Sequence, residues 1–166
     1  MKLSEHFTKE EFIYSETATK LGISNEPTET ILNVMIHTCT YLLEPLRALL
    51  NEHYGCTVTV NITSGYRSTQ LNKAVGGVST SEHCKGQAVD IYAVKVKDGV
   101  KTTIGYKELY NLIIGWVKEG KLSVNQCIQE QSGSSTWVHV SMHSWGKTLN
   151  KNEFLVYKNG VYTSDN

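Results

Sequence analysis

The stretch SEHCKGQAVDIY (residues 81–92) places His83 seven positions before Asp90. Small and flexible residues separate the two, and the aspartate stands near the start of a segment whose composition predicts a β-strand. The Lys-Gly-Gln sequence around Gly86 suits a tight turn, because glycine adopts positive φ values readily. Such a turn would return the chain so that Asp90 faces the same point as His83.

A second histidine, His139, lies in the alternating segment TWVHVS (136–141). Its valine neighbours face the other side of a strand, so His139 is either exposed or directed into a site. Two neutral imidazoles and one carboxylate are a typical catalytic zinc set that leaves a fourth position for water. His83, Asp90 and His139 therefore predict a metal site that suits zinc, tolerates other metals, and would acidify a bound water.

The composition favours a single globular domain over residues 1–166. The 166 residues are 40% hydrophobic, enough for a substantial core. Sixteen basic and sixteen acidic residues give a formal net charge of +0, which gives no support for a nucleic-acid or membrane-surface partner. No apolar run approaches the length of a membrane span, and the polar start MKLSEHFTKEEF does not resemble a signal peptide. We expect a monomer made in the cytoplasm, with no membrane insertion.

The four cysteines are widely spaced and form no CxxC pair: Cys39, Cys56, Cys84 and Cys127. This spacing favours free, mostly buried thiols in a reducing compartment. Cys84 adjoins His83, but adjacent residues on an extended chain point in opposite directions. We therefore rank Cys84 low as a metal ligand.

The hydrophobic pattern changes from helical to strand-like along the chain. One short helix is expected over 8–20, capped by Thr8, and a longer helical pattern over 28–53, with Pro27 in its first turn and a kink or break at Pro45. Further elements are expected as strands at 57–63 and 88–94, helices after Arg67 and over 105–119, and hairpins at 126–142 and around Asn159-Gly160. Helices early and hairpins late indicate an α+β fold with a mainly antiparallel sheet.

Five motifs occur in a fixed order: SGYRS (64–68), LN (71–72), VGG (75–77), S-x-H-x-x-G-x-A-x-D-I (81–91) and WVHVS (137–141). In this order they resemble the zinc D-Ala-D-Ala carboxypeptidase family, which includes bacterial peptidoglycan-trimming enzymes and phage endolysins. The resemblance covers about residues 56–143. The amino-terminal SEHFTKEEF and the LEPLRALL segment are similar to the phage-like branch.

The resemblance implies the hedgehog/DD-peptidase fold, with amino-terminal helices packed on the sheet. It also implies that His83, Asp90 and His139 bind Zn²⁺, the same set that the residues themselves suggest. Arg67 matches the family arginine that binds and polarises substrate, and a guanidinium is suited to a carboxylate or a developing oxyanion. Ser81 either bonds substrate or shapes the loop.

The general base is the point at which the sequence departs from the family pattern. Many members carry an acidic residue three positions before the last histidine ligand, where this chain has Thr136. We predict Glu130 as the base, because alternation places it with Ile128 on the face of a strand that a close hairpin would bring towards His139. His143 is a second candidate for the general base, but we expect it to be a surface histidine. Glu82 ranks lower because strand parity directs it away from the site.

The expected function is a zinc-dependent peptidase that hydrolyses peptidoglycan stem peptides through a metal-activated water. It would be a D-Ala-D-Ala carboxypeptidase or an endolysin-type endopeptidase, and the missing signal peptide favours an endolysin that acts on the cell wall after release. The alternative is a non-catalytic, zinc-containing wall-binding or phage structural module of the same fold, which Thr136 favours. A plain α+β domain without metal is the third reading.

Overall fold

The computed structural model describes residues 1–143 and 149–166. Its α-helices are α1 (Lys9–Ile13), α2 (Glu16–Leu21), α3 (Glu29–Thr38), α4 (Glu44–Tyr54), α5 (Thr69–Ala74) and α6 (Tyr106–Lys118). Its strands are β1 (Thr57–Ser64), β2 (Ala88–Lys97), β3 (Val100–Thr103), β4 (Gln126–Ser132), β5 (Ser135–Ser141), β6 (Glu153–Lys158) and β7 (Val161–Ser164). The α+β class predicted from the sequence is confirmed.

The single helix expected over 8–20 is wrong, because two short helices occupy this range. Thr8 caps α1 as predicted and forms a reciprocal capping box with Glu11. Tyr14 then turns to an extended conformation, with φ −60° and ψ 133°. The Ser15 hydroxyl caps α2 by accepting the Ala18 N–H. Because Tyr14 ends α1 and Ser15 begins α2, these two adjacent residues separate helices that hydrophobic spacing alone predicts as one.

The helical pattern over 28–53 is interrupted, as Pro45 predicts. A π-helical turn at Cys39–Leu43 separates α3 from α4, and Pro45 falls in the first turn of α4. The cap of α3 is Thr28, whose hydroxyl accepts the Ile31 N–H. Pro27 therefore precedes the cap and does not lie in the first helical turn, where we had expected it.

The strands form one sheet in the order β1-β2-β5-β4-β6-β7, with β3 pairing β2. Its pairs are antiparallel except for β4 and β6, which run parallel. The hairpin at Asn159-Gly160 is confirmed, and both residues have the positive φ of a type I′ turn, 47° and 94°. Sequence reasoning missed β3, which an Asp98-Gly99 turn connects to β2.

One hydrophobic cluster joins the amino-terminal helices, α4, α6 and one face of the sheet. Alternation along β2 and β5 directs Ile91, Val138 and Val140 into this core. The opposite face of the same strands is left for polar residues. The four cysteines are free thiols, and Cys39 and Cys127 are fully buried. Within the described residues, no helix is both long and apolar enough to cross a bilayer.

Candidate metal centre and catalytic cleft

The register of the central strands brings Asp90 and His139 together. The two residues are direct partners across the antiparallel β2–β5 pair. Each lies between residues buried in the core, so both side chains project from the polar face of the sheet. This pairing joins positions that are far apart in the chain, and it follows from strand alternation together with the correct register.

His83 reaches the same point from a loop that turns sharply. Residues Glu82–Lys85 form a single 3-10 turn, which ends at Gly86 with φ 72°. A Cβ on Gly86 would approach the Met35 side chain to 2.9 Å. The Thr38 hydroxyl donates to the Gly86 carbonyl over 2.9 Å, which ties the turn to α3. The tight turn predicted around Gly86 is thus confirmed, and only glycine fits it without strain.

The three side chains form a compact cluster. Asp90 Oδ1 lies 3.0 Å from His139 Nδ1 and 3.4 Å from His83 Nε2, and one ligand atom from each residue lies within 4.8 Å of the others. A tetrahedral zinc with bonds near 2.0–2.1 Å has ligand–ligand edges of about 3.3 Å. The donor types and the short edges therefore fit a zinc ion.

A backbone carbonyl fixes the orientation of His83. The carbonyl oxygen of Gly65 can only accept, so His83 Nδ1 carries the proton of their 2.7 Å hydrogen bond. This leaves Nε2, which faces Asp90, free as a ligand atom. Gly65 lies so close to Phe12 that a Cβ there would come within 2.3 Å of the Phe12 carbonyl oxygen. The SGYRS motif therefore positions a ligand as well as supplying Arg67.

Asp90 stays charged although most of its side chain is shielded from solvent. Burial acts to raise its pKa, but the neighbouring His83 and His139 outweigh burial and hold the pKa of Asp90 well below its ordinary value. A carboxylate that is ionised under all ordinary conditions is the form that ligates a cation.

A cleft of about 750 Å³ opens above the cluster. The following residues are among those that line it: Arg67, Ser81, Glu82, His83, Asp90, Glu130, Trp137, His139, His143 and Tyr162. All six residues that the sequence predicts for the site are in this set, so the fold brings them together in one concave surface.

Arg67 is held beside the cluster by two contacts. Its Nη2 lies 3.8 Å from Asp90 Oδ2, and its Nη1 donates to Asn72 Oδ1 over 3.2 Å. A Cβ on Gly77 would come within 2.1 Å of Asn72 Oδ1, so the VGG motif makes room for this contact. The Nε atom of Arg67 is buried and has no hydrogen-bond partner among the described residues. The guanidinium therefore has donor capacity left for a ligand.

Glu130 projects into the cleft from β4. It pairs with Trp137 across the β4–β5 hairpin, and Ile128 pairs with His139, so all four side chains lie on the polar face. Burial, and then the charge of Asp90, raise the pKa of Glu130 to about 7. His139, Arg67 and the Trp137 indole oppose this rise, although the indole N–H makes no hydrogen bond of standard geometry to any described residue.

Thr136 cannot replace Glu130, since it is exposed and lies an odd number of residues from His139. Odd separations along a strand direct side chains to opposite faces. Alternation along β5 directs Thr136 away from the cluster, whereas the neighbouring strand places Glu130 on the same face of the sheet as His139.

Two expectations about cleft residues were wrong. His143 is partly buried, lines the cleft, and has a buried Nε2 with no hydrogen-bond partner in the described part of the chain. Glu82 also lines the cleft. The strand-alternation argument was wrong for Glu82 because residues 82–85 are a 3-10 turn, in which neighbouring side chains do not alternate between two faces.

Comparison with known families agrees with this geometry. A family model described as Peptidase M15 matches residues 5–106, more than half of the chain. The chain belongs to the peptidase M15 family. The match contains Arg67, Ser81, His83 and Asp90, and it ends before Glu130 and His139. A search of curated proteins gave no match.

Membership of the M15 family implies a zinc metallopeptidase that acts on peptidoglycan, and the His83–Asp90–His139 cluster is a site that can hold the metal. Sequence reasoning missed Asn72 as a support for Arg67, although the LN motif contains it. It also missed Asn125, whose side chain contacts Glu82 and which no sequence motif marks.

Proposed function

We propose that residues 1–166 form one zinc peptidase domain that hydrolyses peptidoglycan stem peptides. One continuous sheet and one hydrophobic cluster support a single domain. The observation that carries the proposal is the pairing, in one cleft, of a His-Asp-His cluster with a half-buried carboxylate, Glu130, whose pKa in the metal-free protein is raised to about 7. Carboxylates whose pKa values are shifted in this way cluster at functional sites.

His83, Asp90 and His139 would hold the metal. Bound Zn²⁺ supplies a Lewis acid that lowers the pKa of a water molecule and polarises a carbonyl oxygen. Gly65 keeps the ring of His83 in the ligating orientation, and the ionised Asp90 offsets part of the positive charge.

Glu130 is the proposed general base. A carboxylate in the same cleft as the metal ligands is suited to accept a proton and to return it. The carboxylate would take a proton from the attacking water and deliver it to the nitrogen of the leaving amine. Trp137 is the cross-strand partner of Glu130 and lies on the same face of the sheet, beside the carboxylate.

Arg67 is the proposed substrate-binding and charge-stabilising residue. Its free donor capacity lies next to Asp90, within reach of a group bound above the cluster. A guanidinium there binds a carboxylate bidentately or steadies the oxyanion that forms as the amide carbonyl is attacked. Ser81 lines the same cleft and adds a hydroxyl that can bond substrate.

The surroundings of Arg67 favour cleavage inside the stem over removal of a terminal D-Ala. A second cleft of about 460 Å³, lined by Tyr14, Ser64, Tyr66 and others, also includes Arg67. Arg67 borders both clefts, and a peptide that occupied both would extend to either side of it. This supports an endolysin-type endopeptidase that acts on the wall.

Digestion of cell-wall sacculi tests the proposal. The zinc-loaded protein and the His83→Ala variant would be incubated with sacculi of several wall types, and the products read by mass spectrometry. We expect fragments cut within the stem from the wild type and none from the variant, with circular dichroism to verify that the variant is folded. Absence of cleavage from a protein that retains its zinc would contradict the proposal and favour the non-catalytic wall-binding module.

A further inference from the structure

Glu82 is a cleft carboxylate that the proposed mechanism does not use. Asn125 donates its side-chain N–H to Glu82 Oε1 over 2.7 Å. Asn125 is itself 4% exposed and is fixed by its backbone N–H, which donates to the Ser141 carbonyl over 2.7 Å. The Glu82 carbonyl also accepts the Gln87 N–H at 3.1 Å. The carboxylate is therefore held rigidly.

The second oxygen of this carboxylate is unsatisfied. Glu82 Oε2 is buried and has no hydrogen-bond partner among the described residues. Lys85 and Lys151 line the same cleft, yet neither donates a hydrogen bond to Glu82 Oε2 within the described part of the chain. A buried acceptor without a partner is costly, and such a group in a cleft is explained by a ligand that satisfies it.

The chemistry of that ligand follows from the acceptor. An ionised carboxylate can only accept hydrogen bonds, and charged N–H donors are its strongest partners. A peptidoglycan stem that contains a diamino acid offers such a donor, the side-chain ammonium. The Arg67 side of the cleft is suited instead to carboxylates and carbonyl oxygens.

We propose that Glu82 Oε2 binds the free side-chain ammonium of a diamino acid in the stem peptide and so determines specificity. This inference rests on the proposed function for the substrate class, and on the Asn125–Glu82 geometry for the residue. The Glu82→Gln variant separates the loss of ammonium binding from the loss of the hydrogen bond with Asn125. The amide oxygen can still accept from Asn125, whereas the amide NH₂ would stand where Oε2 was and repel an ammonium.

Two synthetic stem peptides test the proposal. They would be identical except that the diamino acid carries a free amine in one and an N-acetylated amine in the other. We expect the wild type to cleave the free-amine peptide with a kcat/KM about tenfold higher or more, mainly through KM, as for a hydrogen bond to a charged group. Glu82→Gln should lose this preference, and the exposed Glu119→Gln should retain it.

The outcomes separate this inference from the proposed function. Equal cleavage of both peptides by the wild type, or an unchanged preference in Glu82→Gln, would overturn the role of Glu82 while the peptidase stands. If neither peptide is cleaved, the proposed function is what fails. Calorimetric binding to the zinc-loaded wild type then decides on Glu82: tighter binding of the free-amine peptide supports it, and equal binding overturns it. If Glu82→Gln does not fold, the preference of the wild type between the two peptides still tests the role of Glu82.

Discussion

At the residue scale, Glu130 is a carboxylate whose surroundings raise its pKa to about 7. Alternation along β4 predicted its face correctly from the sequence, because a two-residue turn at Gly133 keeps the β4–β5 hairpin in close register. The raised pKa was not predictable, since it depends on burial and on Asp90, which arrives from a different part of the chain.

This pKa makes a prediction about the stability of the metal-free protein. The folded-state pKa of about 7 lies above the ordinary value of 4.5, so the folded state holds the proton more tightly than the unfolded state. Glu130 therefore lowers the free energy of unfolding progressively as pH rises from about 4.5 to about 7. Relative to the wild type, Glu130→Gln should be more stable at pH 8 than at pH 5.

Urea unfolding at the two pH values measures this difference. Glu119→Gln, at an exposed position, should change stability by the same small amount at both. A stability difference between wild type and Glu130→Gln that does not change with pH would contradict the raised pKa.

At the element scale, the 3-10 turn at Glu82–Lys85 determines which side chains enter the cleft. The sequence predicts a turn there because Gly86 follows, and the turn is present. It does not distinguish a 3-10 turn from an extended loop, so the parity argument that works for Glu130 fails for Glu82. The parallel β4–β6 pair escaped prediction for a related reason: local alternation identifies a strand but not its distant partner.

Gly86 and Gly99 provide a matched pair of substitutions at this scale. Both have positive φ, 72° and 76°, but a Cβ meets neighbouring atoms only at Gly86. Gly99→Ala should cost about 1–2 kcal/mol from the backbone alone. Gly86→Ala should cost a further ~1–3 kcal/mol because its methyl group crowds Met35 and Ile31.

Gly86→Ala should also weaken zinc binding, since it displaces the turn that carries His83, whereas Gly99→Ala should leave zinc affinity unchanged. Urea unfolding and zinc titration measure the two effects. Equal costs and equal zinc affinities in both variants would show that the Gly86 turn does not position the ligand.

At the scale of the whole molecule, the candidate metal site connects segments that are distant in sequence. The family match covers His83 and Asp90 but ends at residue 106. His139 joins them through the β2–β5 register, and Glu130 through the next strand of the sheet. The motif order in the sequence predicted His139 as a partner and strand alternation predicted Glu130, while supports such as Asn125 emerge only from the three-dimensional packing.

Zinc should therefore stabilise the fold as well as enable chemistry. At zinc a hundredfold above its Kd, binding to the folded state alone contributes about 2.7 kcal/mol, which corresponds to a rise in Tm of about 5–10 °C. Differential scanning fluorimetry should show this rise for the wild type and for His53→Ala, whose side chain is exposed and remote. The rise should be absent in His83→Ala and reversed by a chelator. A rise of equal size in His83→Ala would place the zinc elsewhere.

The central claim is that a metal cluster and Glu130 act together in one cleft, and Glu130→Gln tests it most directly. The variant would be loaded with zinc, its metal content measured by elemental analysis, and its digestion of sacculi compared with that of the wild type. We predict one zinc per chain in both proteins, with hydrolysis reduced about 10²–10⁴-fold in the variant, as for loss of a general base. Hydrolysis at the wild-type rate by a zinc-loaded Glu130→Gln protein would contradict the account.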